Sequence, residues 1–166
     1  MAQASLYTFF AALSELVATF FYVGRSPKAP GTMGSLVALP FAWYLWMLPV
    51  EMAWPIVIAV FLLGCWAASG VIRRTGTQDH QSVVIDEVVG IFLTTSIAAH
   101  LWWHYLLAFL LFRIFDIWKP FPVGLVDKNI KGGFGTMLDD VVAAMFATGI
   151  LWVILRYSAG MVGASA

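Results

Sequence analysis

AWPIVIAVFLLGCWAASGVI, residues 53–72, carries no charged side chain; Glu51 lies just before it and the pair Arg73–Arg74 just after. An α-helix needs about 20 residues of this kind, at a 1.5 Å rise each, to cross a hydrocarbon core about 30 Å thick. The rest of the chain has the same character. Of its 166 residues, 61% are hydrophobic and 11% charged, eight are Trp, and the mean hydropathy is +0.88. A soluble domain is roughly 45–50% apolar and about 25% charged, and one this small has too little interior to hide such an excess. A soluble globular monomer, a disordered chain and a secreted disulfide scaffold are therefore excluded as readings. The single Cys65 has no partner for an internal disulfide. The formal net charge of zero gives no reason to expect a nucleic-acid partner.

Working outward, other apolar segments lie at 5–23, 35–48 and 141–155, and Pro49 and Glu51 make a helical hairpin of 35–48 and the central run. Between Glu87 and Arg113 a stretch of 25 uncharged residues is broken around His100–His104, which fits two short helices and a turn. The expected fold is all-α: a polytopic membrane bundle of about six helices at 5–23, 35–48, 52–73, 84–98, 102–117 and 138–156. Several are shorter than a full crossing wants. The N-terminal segment lacks a basic start and is interrupted by Glu15, so a cleaved signal peptide is not expected. With no repeat or linker, residues 1–166 read as one domain. In this topology Arg25, Lys28, Arg73, Arg74, Arg113, Lys119, Lys128 and Lys131, eight of the nine Lys and Arg, fall on one side. The positive-inside rule makes that side cytoplasmic.

Most of the unusual residues gather on the same side. The loop Gly24–Ser35 is rich in Gly and Pro and runs into the second helix, which Thr32 or Ser35 is expected to cap. With Arg25 and Lys28 alongside, it could cradle a phosphate; a plain capped turn at the membrane surface accounts for it as simply. Asp86 and Glu87 are expected to open the fourth helix and Asp139 and Asp140 the sixth, with Thr136 and Asp139 resembling a capping box. Helix dipoles explain one acid per helix. Two adjacent pairs beside hydrocarbon are harder to explain that way, because a carboxylate there is expensive unless paired or metal-bound. Arg113, Asp116 and Lys119, at i, i+3 and i+6, share one face of the fifth helix, as an ion-pair ladder or as a stripe able to hold a metal and a phosphate. Lys128–Gly135 reads as a mobile, basic, glycine-rich loop or as a simple connector. Carboxylate oxygens are ligands Mg²⁺ prefers, usually with phosphate oxygens completing the shell. Cys65 is mid-helix and His100 and His104 lie on the far side, which leaves His80 as the one histidine near the acids.

Four blocks carry a family resemblance: SPKAPGTMGS (26–35), DHQSVVIDEVVG (79–90), FRIFDIWKPFP (112–122) and KGGFGTMLDDVVA (131–143). In order and spacing they resemble phosphatidylglycerophosphatase A, a bacterial lipid phosphatase, over about residues 22–155. The resemblance implies a Mg²⁺-dependent enzyme of the cytoplasmic membrane that converts phosphatidylglycerophosphate, an anionic phospholipid, to phosphatidylglycerol and inorganic phosphate. The family's acidic positions fall on Asp86, Glu87, Asp116, Asp139 and Asp140, which are expected to supply the metal ligands, with Asp86, Glu87 and Asp140 as catalytic candidates. Its basic and loop positions fall on Thr32, Gly34, Ser35, Arg113 and Lys119, which with Lys28 are expected to meet the substrate phosphate. Family members vary after the residue matching Asp79, so no required role is expected of His80. Direct attack of water and an aspartyl-phosphate intermediate both remain open, as do the number of metal ions and the oligomeric state. The D-x-x-D-G-x-x-A-R signature of CDP-alcohol phosphotransferases is absent. So are the paired basic and histidine motifs of acid-phosphatase-type lipid phosphatases. A non-catalytic transporter or assembly subunit would tend to place ionisable residues mid-span, whereas these collect at one interface.

Overall fold

Seven α-helices and two short 3-10 turns, with no strand, make up the residues described by the computed structural model, which are 2–78 and 80–163. In chain order the helices are α1 (Ala2–Ala18), α2 (Pro30–Leu45), α3 (Val50–Thr75), α4 (Ile85–Thr94), α5 (Trp102–Trp118), α6 (Val123–Asn129) and α7 (Gly132–Gly163). Asp79, at the head of the second sequence block, lies outside the described residues. Two helical stretches, Val50–Thr75 and Gly132–Ser158, are long and apolar enough to cross a membrane.

Side-chain hydrogen bonds and glycine contacts set the helix ends, and several differ from expectation. α1 stops at Ala18 rather than 23, because Thr19 Oγ1 donates to Glu15 O (2.8 Å) and accepts from Tyr22 N–H (3.1 Å). That local bonding competes with helix continuation, and Phe20, Phe21 and Tyr22 all take left-handed φ values of 45°, 55° and 67°. α2 starts at Pro30, five residues before the expected 35, since proline is pre-set for the first helical position. Its N-cap is Ala29, with no side-chain cap. The expected capping by Thr32 or Ser35 is thus wrong: both sit inside the helix, and Ser35 Oγ donates back to Gly31 O at 2.8 Å.

The Gly-rich segment holds the largest correction. It is neither a mobile loop nor a bare connector: residues up to Asn129 form the extra helix α6, and Gly132 already begins α7. Asp139 and Asp140 therefore lie about two turns inside α7 rather than opening a helix at 138. Thr136 Oγ1 donates to Gly132 O (3.3 Å), so the capping-box reading also fails. Here glycine serves close approach rather than flexibility. A Cβ on Gly133 would fall 2.3 Å from Cys65 O and 2.5 Å from Ser69 N, so α7 lies backbone-to-backbone against α3.

α4 is only ten residues long and mostly buried, enclosed by α2, α3, α5 and α7. α7 also packs on α3, α5 and α6, while α1 rests chiefly on α3. The hairpin at Pro49 and the break between α4 and α5 occur as expected. At the break end Trp46 Nε1 donates to Phe92 O (3.0 Å) and Thr95 Oγ1 (3.1 Å). At the other end the start of α4 meets the start of α2, the end of α5 and the first turns of α7. Large apolar side chains stay uncovered around the bundle, Trp118 at 76% and Phe121 at 81% exposed among them.

Candidate active site

α4 points its N-terminus, the positive end of its dipole, at its own first-turn acids Asp86 and Glu87. Asp140 reaches the same place from α7. Asp86, Glu87 and Asp140 each present a carboxylate oxygen, and the three oxygens lie within 4.8 Å of one another. Asp86 is 8% and Asp140 3% exposed. Like charges at this distance with little water around them repel strongly unless a cation intervenes.

Two cations border the cluster, and each is already shared. Arg113 Nη1 meets Asp116 Oδ2 at 2.6 Å, one turn along α5, and Glu87 Oε1 at 3.5 Å. It also donates to Ser35 Oγ at 3.4 Å, joining α5 to α2. Lys119 Nζ bridges Asp139 Oδ2 (2.6 Å) and Asp127 Oδ1 (2.8 Å). Lys119 caps α5 in the left-handed conformation, φ 44° and ψ 55°. For a non-glycine residue this costs on the order of 1 kcal/mol, and such strain concentrates at functional sites. Partial burial pulls the Lys119 ammonium down, but its hydrogen bonds and attraction to Asp127 and Asp139 outweigh that and hold it above the ordinary lysine range. Asp127, hydrogen-bonded by Lys119, is held below the ordinary carboxylate range.

Six carboxylates (Asp86, Glu87, Asp116, Asp127, Asp139 and Asp140) thus face two cations, and three of their oxygens have no hydrogen-bond partner: Glu87 Oε2, Asp139 Oδ1 and Asp140 Oδ2. Buried acceptors are rarely left unpaired. These residues fit a divalent cation. Three carboxylate oxygens gathered at one point, with unpaired oxygens on Glu87 and Asp140, suit the all-oxygen shell that Mg²⁺ prefers.

The structure brings Asp86, Glu87, Asp140, Arg113 and Ser35 to one locus, with Asp116 joined through Arg113, and Asp139 with Lys119 next to it. The α2 residues divide. Gly34 is buried against Val84, where a Cβ would fall 2.8 Å from Val84 Cβ, so its place is in packing α2 onto the start of α4. Thr32 is half-buried in the first turns of α2, and Lys28 is exposed with no ion pair among the described residues. His80 Nδ1 pairs with its neighbour Ser82 Oγ at 2.8 Å.

Two residues at the site were not anticipated from sequence. One is Asp127, whose role depends on the unexpected α6. The other is Gly31, where a Cβ would stand 2.0 Å from Glu87 Oε1 and 3.3 Å from Arg113 Nη1. Gly31 belongs to the P-G-T-M-G run at 30–34, which marks a constrained backbone but not what presses against it.

Residues 16–155 match the family model described as phosphatidylglycerophosphatase A. The chain is 39% identical over 141 residues to phosphatidylglycerophosphatase A of Escherichia coli, covering 84% of this chain and 82% of that one. It is 40% identical over 142 residues to the protein of the same name in Haemophilus influenzae, covering 84% and 87%. A Bacteroides thetaiotaomicron protein named "Putative phosphatidylinositol-3-phosphatase" is 37% identical over 161 residues, covering 89% and 96%. No solved structure matches. The chain belongs to the phosphatidylglycerophosphatase A family.

Proposed function

We propose that this chain hydrolyses the terminal phosphomonoester of phosphatidylglycerophosphate, with Mg²⁺ held by Asp86, Glu87 and Asp140, to give phosphatidylglycerol and inorganic phosphate in phospholipid synthesis. The observation that carries the reading is the buried cluster of these three carboxylates, with orphaned oxygens on Glu87 and Asp140, beside Arg113. The relatives named phosphatidylglycerophosphatase A supply the reaction class and the head group.

Mg²⁺, when bound, would neutralise phosphate charge and raise the electrophilicity of phosphorus. The protein's own groups do the rest. Arg113 offers the substrate phosphate a planar donor, and Lys119 a point charge at the side of the cluster. Asp116 and Asp139 hold those two cations in place. As water attacks phosphorus, Asp86 or Asp140 accepts its proton while the bond to the glycerol oxygen breaks. The leaving oxygen takes up a proton to become the free hydroxyl of phosphatidylglycerol. Burial of the carboxylates restricts water around the reacting phosphate and strengthens each charge interaction there.

The bundle is read as a multi-pass protein of the bacterial cytoplasmic membrane with this site at the cytoplasmic face. α3 and α7 would span, and the short α4 would lie inside the protein, where its brevity is no obstacle. The uncovered apolar side chains and the basic residues at the site's end of the bundle support this.

Phosphate release from phosphatidylglycerophosphate by the purified protein in detergent tests the reading. Release is expected to stop with EDTA and return with Mg²⁺, and to fall by at least about 100-fold in Asp86→Asn and Asp140→Asn. Release that persists in EDTA, or is unchanged in both variants, overturns the proposal. Phosphatidylinositol 3-phosphate, supplied in parallel, reads the head-group preference that the differently named relative raises.

A further inference from the structure

Away from the carboxylates, α1 and α3 flank an open-sided cavity of about 100 Å³ at the same end of the bundle. Tyr7, Phe10 and Ser14 of α1 line it at i, i+3 and i+7, and Trp66, Gly70, Arg73 and Arg74 of α3 line it from the other side. Both helices run toward the basic end, so the cavity is graded along its length. Arg73, Arg74 and the Ser14 hydroxyl stand at the end nearest the basic face, and the rings of Tyr7, Phe10 and Trp66 lie further along.

The polar end is built rather than incidental. Ser14 is 2% exposed and its Oγ accepts from Arg74 Nη1 at 2.7 Å. A Cβ on Gly70 would fall 2.9 Å from that Oγ, so only glycine lets the two helices approach this closely. Among the described residues neither Arg73 nor Arg74 pairs with a carboxylate, and the nearby acid on α1, Glu15, is paired with Arg25. Two guanidinium groups therefore front a cavity with room for a few water molecules at about 30 Å³ each, which is the scale of a phosphate group. Basic recesses between membrane helices on the cytoplasmic side suit anionic head groups.

We propose that the α1–α3 cavity seats the phosphodiester of one anionic phospholipid on Arg73 and Arg74, while its glycerol and upper acyl chain lie outside the cavity along the exposed faces of Tyr7, Phe10 and Trp66. The order of charge and then aromatic surface matches a lipid of the leaflet at the basic face. This site is separate from the carboxylate cluster and takes a lipid that is not hydrolysed. It also accounts for the seating of α1, which rests chiefly on α3 and would gain a second contact through the lipid.

Native mass spectrometry of the detergent-solubilised protein, offered phosphatidylglycerol and phosphatidylcholine in equal amounts, tests the proposal. The wild-type chain is expected to retain one phosphatidylglycerol in preference to phosphatidylcholine. The Arg73→Gln/Arg74→Gln double variant is expected to lose about tenfold or more in that retention. Arg73→Lys/Arg74→Lys keeps the charge but not the forked donors and is expected to fall between the two. Arg113→Gln, in the carboxylate site, is expected to retain the lipid as the wild type does. Equal retention of phosphatidylcholine, retention undiminished in the Gln double variant, loss in Arg113→Gln instead, or displacement by millimolar inorganic phosphate would each overturn it. The readout is lipid retention, so it stands or falls independently of the phosphatase activity.

Discussion

Glu87 shows how narrowly single residues set this site. Its Oε1 faces Arg113, its Oε2 has no partner, and the backbone of Gly31 lies against it. In Gly31→Ala the new Cβ would meet Glu87 Oε1 at 2.0 Å, and that atom is the tip of a flexible side chain. The carboxylate will swing aside rather than the fold give way. The expected outcome is a small change in Tm with a loss of phosphate release of roughly tenfold to 100-fold, as misplacement by about 1 Å can produce. Calorimetry beside the phosphate assay checks this; a large fall in Tm with activity per folded molecule intact would contradict it. The acid pairs and the Arg113–Asp116–Lys119 stripe could be picked out in the sequence because charge is so scarce there. The pairing of Arg113 with Asp116 was open to reading as one rung of a ladder on α5, whereas that of Lys119 with Asp139 was not. Such pairing depends on which side chains meet across helices, and spacing along one helix is silent on that.

Helices α6 and α7 govern the next scale. Gly133 of α7 meets backbone atoms Cys65 O and Ser69 N of α3, and neither can move without moving the helix. Gly133→Val is accordingly expected to force the pair apart and destabilise the protein by about 1–3 kcal/mol, read as a clear fall in Tm. An unchanged Tm would refute the tight crossing. α6 is tied to α7 by Lys119 between Asp127 and Asp139. Asp127 is held below its ordinary range by Lys119, so its contribution is complete above the unfolded carboxylate value of about 4 and is lost as pH falls through the lowered value. Lys119 is held above its ordinary range and stays charged throughout that window. The Tm advantage of wild type over Asp127→Asn should therefore be steady from about pH 6 to 8 and shrink toward pH 3. A difference that stays constant down to pH 3 would rule the tether out. From sequence, the glycines at 132, 133 and 135 suggested a flexible loop, because glycine permits both flexibility and close approach. Only the neighbouring helix decides between them.

For the whole molecule, the distribution of charge underlies the proposed orientation. Eight of nine Lys and Arg lie toward the end of the bundle that holds the carboxylate cluster, and Arg156 lies toward the other. With Cys65→Ser as background, a single cysteine at exposed Lys128 should react with a membrane-impermeant thiol reagent only after the cell membrane is opened. One at exposed Met47 should react in intact spheroplasts. The reverse pattern would place the site outside the cytoplasm.

By itself, the sequence determined the all-helical class, the apolar runs and the turns between them, the break near His100, and the gathering of acids and bases toward one end. These follow from composition and periodicity, which act along one chain segment at a time. The tertiary structure alone decided that Asp86, Glu87 and Asp140 meet while Asp139 and Asp127 hold Lys119. It also decided that Asp139 and Asp140 stand two turns inside α7, and that α4 is enclosed by α2, α3, α5 and α7. The physical reason is that periodicity sets a side chain's angle about its own helix axis but not the height at which two helices cross. Here those heights are set by close glycine contacts, Gly31 on Glu87, Gly34 on Val84 and Gly133 on Cys65, which bring residues distant in sequence to the same level.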